Sequence, residues 1–209
     1  GLGCVKIMNW YRHILILLIC AIIPVALLAD PSFFWENYPV EMAQNVVLGL
    51  GTLMALYWAK TAKKESGAWY TAALLFFIAF LRELSWGRVF YVMGMDADGP
   101  IIASKSEVWF GAFINPFVGL LLLVLLVLIV FNRKAILEIL RLVMHDKASV
   151  FYLVVMVFFL GTASAIWDRD VIGALHPWHQ GLEEFSELTS YWAALTLASR
   201  AHWLWKEKK

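Results

Sequence analysis

Six stretches of the chain stay apolar for close to twenty residues at a time: 11–29, 40–59, 68–92, 110–131, 149–167 and 182–204, each bounded by charged or proline-bearing breaks. About twenty apolar residues is what a helix needs to cross a hydrocarbon core. The runs do not alternate polar with apolar, so a membrane β-barrel is excluded. The pattern predicts an all-α fold, a polytopic bundle of six transmembrane helices in one domain over residues 8–209. Residues 1–7 precede Met8 and read as a leader or processing remnant. The segment 132–147 places Ile136, Leu137, Leu140, Val143 and Met144 on one side and Arg133, Lys134, Arg141 and Lys147 on the other. Two outcomes fit it equally: a cytoplasmic interfacial helix, or an extension of the fourth span.

Composition agrees with a lipid solvent. The chain is 62% hydrophobic over 209 residues, against the roughly 45–50% of soluble domains. The formal net charge of +1 hides a strong asymmetry. With an even number of spans both termini share a side, and that side, with its connections, holds 13 of the 17 basic residues, among them Lys60, Lys63, Lys64, Arg133, Lys134, Arg200, Lys206 and Lys208. Twelve of the 16 acidic residues collect on the other side and in the outer halves of the spans. The positive-inside rule therefore makes both termini cytoplasmic, in a cell inner (plasma) membrane, with the acidic ends facing the periplasm or exterior. No feature points to nucleic acid. Cys4 and Cys20 lie at different depths, which argues against an intrachain disulfide.

Ionisable groups inside spans cost a few kcal/mol each and are functional candidates by default. The third span carries Arg82, Glu83, Ser85, Trp86 and Arg88; the second opens with Glu41, Gln44 and Asn45 on one helical face. The fifth leaves through Asp168, Arg169 and Asp170. His176 and His179 follow, and the sixth opens with Glu183, Glu184 and Glu187. In a six-span topology all four clusters reach the same outer depth, with seven acids against Arg82, Arg88 and Arg169. Protons, water or a bound cation would balance the excess. Structurally, Arg82 or Arg88 would neutralise Glu83 or a sixth-span carboxylate and hold helices together as a buried ion pair, with Glu41, Asn45 and Asp168 as structural or substrate-orienting partners.

The sharper expectation is a divalent metal such as zinc held by His176, His179, Glu183 and Glu187, a mixed donor set that suits a first-row metal. Glu83 or Glu184 would then act as general base, making the protein a hydrolase of a lipid or lipid-linked substrate. The alternative is a non-catalytic transport or accessory subunit, whose buried charges serve helix packing, proton or cation passage, or binding of a membrane protein partner. Other chemistry finds no support. The Asp96-Ala97-Asp98-Gly99 segment has its glycine misplaced for a calcium loop and reads as a tight Asp-Gly turn. No serine stands in a nucleophile elbow, and no inverted repeat marks a transporter fold.

The segment Arg82-Glu83-Leu84-Ser85-Trp86-Gly87-Arg88, with Glu183-Glu184-Phe185-Ser186-Glu187-Leu188 near the end, resembles a group of uncharacterised bacterial multi-pass membrane proteins that carry a Glu-Glu-x-Ser-Trp-Gly-Gln type motif and a later acidic helix. Arg82 and Arg88 depart from that motif, and the group brings no activity with it. Trp35-Glu36-Asn37-Tyr38, the Glu41-to-Asn45 spacing and His176-Pro177-Trp178-His179 are similar to segments of the alkaline ceramidases, membrane-embedded zinc amidases. That resemblance implies a metal-dependent hydrolase. It departs in span number, in the spacing of the final histidines and in lacking an early-span histidine.

Overall fold

A computed structural model describes residues 2–35, 38–62, 65–96, 99–167, 169 and 171–208. These form six helices and one hairpin: α1 (Leu2–Leu28), α2 (Pro39–Thr61), α3 (Ser66–Glu83), β1 (Val92–Asp96), β2 (Gly99–Ile102), α4 (Gly111–His145), α5 (Lys147–Thr162) and α6 (His179–Glu207). The chain divides into two compact units, Trp35–Glu138 and Gly1–Phe34 with Ile139–Lys209. Among the described residues, four helices are long and apolar enough to cross a membrane: α1 from Met8 to Leu28, α2, α4, and α5 with the turn that continues it to Trp167.

In the first unit α2 and α3 pack antiparallel. Pro39 stands in the first turn of α2, where its missing N–H costs nothing, and Glu41 meets the positive end of the helix dipole. Trp58 and Trp69 stack edge-on at 5.3 Å, and a Cβ on Gly51 would stand 2.6 Å from the Phe76 ring. Glycine at 51 is what allows this close approach. The third span differs from its expected course. Its α-helix stops at Glu83 rather than running on to Val92, because Ser85 (φ 47°), Trp86 (φ 58°) and Gly87 (φ 89°) turn the backbone left-handed. Only glycine adopts that conformation freely, so Ser85 and Trp86 hold strain of order 1 kcal/mol each. Hydropathy continued through Val89, Phe90, Tyr91 and Val92 and concealed the break. The apolar residues beyond it enter a hairpin, with Asp96 opposite Gly99, in place of further helix.

Helix α4 runs unbroken for 35 residues. Of the two outcomes open for residues 132–147, the extension is the one that forms, since neither glycine nor proline interrupts Asn132 to His145. Residues 2–7, expected as a leader remnant, continue α1.

In the second unit α6 lies against both α1 and α5. The Trp192 indole N–H donates to the Tyr11 carbonyl at 3.0 Å, and the Ser190 hydroxyl donates to the Met156 carbonyl at 2.9 Å. Near the start of α6, a Cβ on Gly181 would stand 3.2 Å from the Ala26 Cα. The arrangement inverts that of a soluble core. Helix α6 carries Ser186, Glu187, Thr189, Ser190, Thr196, Ser199 and His202, all buried, whereas α1 and α5 expose Leu17, Ile23, Leu28, Val154, Val157 and Phe158. Polar side chains are enclosed and apolar ones face outward, as a lipid solvent requires.

Candidate functional site

The expected site residues divide between the two units. Glu41, Asn45, Arg82, Glu83 and Arg88 belong to Trp35–Glu138; His179, Glu183, Glu184 and Glu187 belong to the other unit. Asp168 and the side chain of His176 lie outside the described residues, as do Glu36 and Asn37 of the ceramidase-like segment.

Within the first unit, pairing of Trp58 with Trp69 and of Gly51 with Phe76 sets a register. Gln44 is fully buried, Glu41 is 7% exposed and Glu83 is 9% exposed. Arg82 Nε stands 3.2 Å from Glu83 Oε1, a pair between neighbours on one helix rather than the expected buried pair between helices. The arginine side chain is 54% exposed and that of the glutamate 7%, so the pair reaches from the interior to the surface. Arg88 takes a different role. Its Nε donates to the Ser85 carbonyl at 3.2 Å and its guanidinium donates again to the Ala103 carbonyl at 2.9 Å. It thereby fastens the left-handed turn after α3 to the strand exit of the hairpin. Asn45 donates through Nδ2 to the Glu41 carbonyl at 3.1 Å, so part of its polarity is absorbed by its own helix.

In the second unit the contacts of Ser190 with Met156 and of Arg200 with Asp146 fix the register between α5 and α6. Extended toward the start of α6, it puts Glu187 level with Phe159 and Glu183 level with Ala163. At Ala163–Trp167 the end of α5 widens into a π turn, a local rearrangement frequent at functional sites. Glu187 is 6% exposed, while Glu183, Glu184 and His179 are half-buried. Among the described residues no three His, Cys, Asp or Glu side chains are grouped as a metal ion would need. The described donors therefore do not complete a zinc site.

Two features of α6 went unnoticed in the sequence. His202 is buried, its ring 5.8 Å from that of Trp205. Arg200 forms a forked pair with Asp146, at 3.0 and 2.8 Å, and lies 4.2 Å over the Trp203 ring. Asp146 also caps α5, accepting from the Ser149 N–H at 2.9 Å and the Ser149 hydroxyl at 2.7 Å. The Arg200 guanidinium, aided by Ser149, holds the Asp146 carboxyl down at about 2. The readable signal for the cap was Asp-x-x-Ser directly ahead of an apolar run. For His202 the signal was the small and hydroxyl residues recurring along α6 (Ser186, Ser190, Ala193, Thr196, Ser199), which mark a helix that packs closely rather than one that faces lipid.

Compared with protein-family models, curated proteins and solved structures, the chain shows no match.

Proposed function

We propose that this is a multi-pass inner-membrane protein of six spans, with both termini cytoplasmic, that carries protons or small cations along α6 as a transport protein or as the accessory subunit of one. The charge asymmetry of the connections supports the orientation. The observation that carries the functional reading is the burial of two ionisable groups on α6, Glu187 and His202. Fifteen residues of helix separate them, about 22 Å, or most of a hydrocarbon layer. Ionisable side chains at such depth are costly and typify proton and ion pathways. Most hydroxyls between them have structural partners: Thr189 and Thr196 donate to carbonyls of their own helix and Ser190 donates across to α5. Glu187 and His202 supply the carboxylate and the imidazole of that file.

The test is proton flux in vesicles containing the purified chain and a pH-sensitive dye, driven by a potassium diffusion potential. Native protein should raise flux above protein-free vesicles, and E187Q should return it to that baseline while S186A does not. Native flux at the protein-free level would refute the reading.

The lipid-directed hydrolase, with Glu83 or Glu184 as base and a divalent metal held by His176, His179, Glu183 and Glu187, is the second proposal and is supported by donor types alone. Stoichiometric zinc in the purified protein, lost in a H176A/H179A variant, would promote it over the first.

A further inference from the structure

The hairpin between α3 and α4 has a composition that a water-facing hairpin would avoid. Phe90 is 68% exposed, Met93 63% and Trp109 81%, with Val92, Met95 and Ile101 also open. A solvated two-stranded ribbon alternates polar with apolar and guards its edges with charge; the exposed side chains from Phe90 to Met95 are all apolar or aromatic. The hairpin is also fastened down. A Cβ on Gly99 would stand 2.8 Å from the Trp35 ring, Arg88 binds the Ala103 carbonyl, and the Lys105 ammonium donates to the Asn115 side chain at 2.8 Å. The patch continues directly into α4, whose Phe113, Phe117 and Leu120 are exposed on a helix apolar enough to cross a bilayer.

We propose that this hairpin, with Phe90 and Trp109, lies in the headgroup–acyl boundary of the bilayer that α4 crosses, as a monotopic anchor at the mouth of its unit. Two opposing requirements fix that depth. The exposed methionines and aromatics favour leaving water by roughly 25 cal/mol per Å². The outer edges of a two-stranded ribbon carry backbone groups that hydrocarbon cannot satisfy. Only the boundary meets both. The aromatic cluster agrees: Tyr91 and Trp109 flank Phe110 at 5.6 and 5.4 Å, and the Trp109 indole N–H donates to the Tyr91 hydroxyl at 3.3 Å. Such rings concentrate at membrane interfaces.

Single cysteines at Met93 and Met95 (M93C, M95C), in the full chain with C4S and C20S, would carry nitroxide labels in phosphatidylcholine–phosphatidylglycerol vesicles. Collision with oxygen and with a water-soluble nickel chelate is then compared with a label at L123C in the middle of α4 and one at K206C. Both hairpin labels should favour oxygen several-fold more than K206C does. Nickel access equal to that of K206C would overturn the proposal in favour of water, and protection from both reagents would overturn it in favour of a protein partner. If the labelled chains do not fold, quenching by lipids brominated near the headgroup is compared between the native chain and W109F. A smaller quenched fraction in W109F supports the anchor, and no difference overturns it.

Discussion

Removing the Asp146 carboxylate should be among the most damaging single changes outside the apolar core. Its carboxyl is held at about 2 against an ordinary 3.8, equivalent to about 2 kcal/mol of folding stability at neutral pH. Because the folded value lies below the unfolded one, that contribution is complete above about pH 4 and disappears as pH falls toward 2. Part of it comes from Arg200 and part from capping α5 through Ser149. D146N keeps an acceptor for the Ser149 N–H, since asparagine caps as well as aspartate, and should lose about 1.5 kcal/mol. D146A loses the cap as well and strands Arg200, and should lose about 3 kcal/mol. The assay is unfolding in detergent micelles by titrated dodecyl sulfate, followed by tryptophan fluorescence, for D146N, R200Q and the double variant at pH 7 and pH 3. The reasoning predicts a coupling of about 1.5 kcal/mol at pH 7 that shrinks at pH 3. A coupling below about 0.5 kcal/mol, or one that does not change with pH, would refute it.

Three further outcomes follow from contacts in single units. G51A drives a methyl to 2.6 Å from the Phe76 ring and should destabilise by about 1–3 kcal/mol in the same assay, with F76A relieving part of the loss. W192F removes the donor to the Tyr11 carbonyl while keeping an aromatic ring, and should cost about 1–2 kcal/mol. E83Q should leave stability within about 1 kcal/mol, because its partner Arg82 is half in solvent; a loss above 3 kcal/mol would show that the carboxylate anchors the helix pair.

The chain's helical, membrane-type character was legible because hydropathy over twenty residues averages out local detail. The same averaging hid the end of α3. Ser85-Trp86-Gly87 is a three-residue backbone event inside an apolar stretch, and its only written signal is one glycine. The hairpin was half legible: Asp98-Gly99 indicated a turn, yet the flanking residues had been assigned to a span and a loop. The Arg82–Glu83 contact is legible because neighbours in sequence need no tertiary knowledge, whereas a pair that joins two helices is not what this same-helix contact forms. The Asp146–Arg200 pair, 54 residues apart, depends on the register of α5 against α6, which the sequence does not carry. Glu187 is legible as an acid within a span, whereas His202 stands in no local motif that sets it apart. Polarity in α6 was read as a site at one end; it extends along the helix.

If α6 crosses the bilayer as proposed, it also constrains how the protein is made. A segment bearing Glu183, Glu184, Glu187, Arg200 and His202 partitions poorly into lipid by itself, since each central charge costs about 2.5–3.5 kcal/mol at the translocon. Chain order resolves the difficulty: α1 and α5 leave the ribosome before α6, so a sheath is available when the last segment emerges. Biogenesis then consists of docking onto preinserted neighbours rather than independent integration, and a lesion in α1 would be felt first as failed retention of the C-terminal segment.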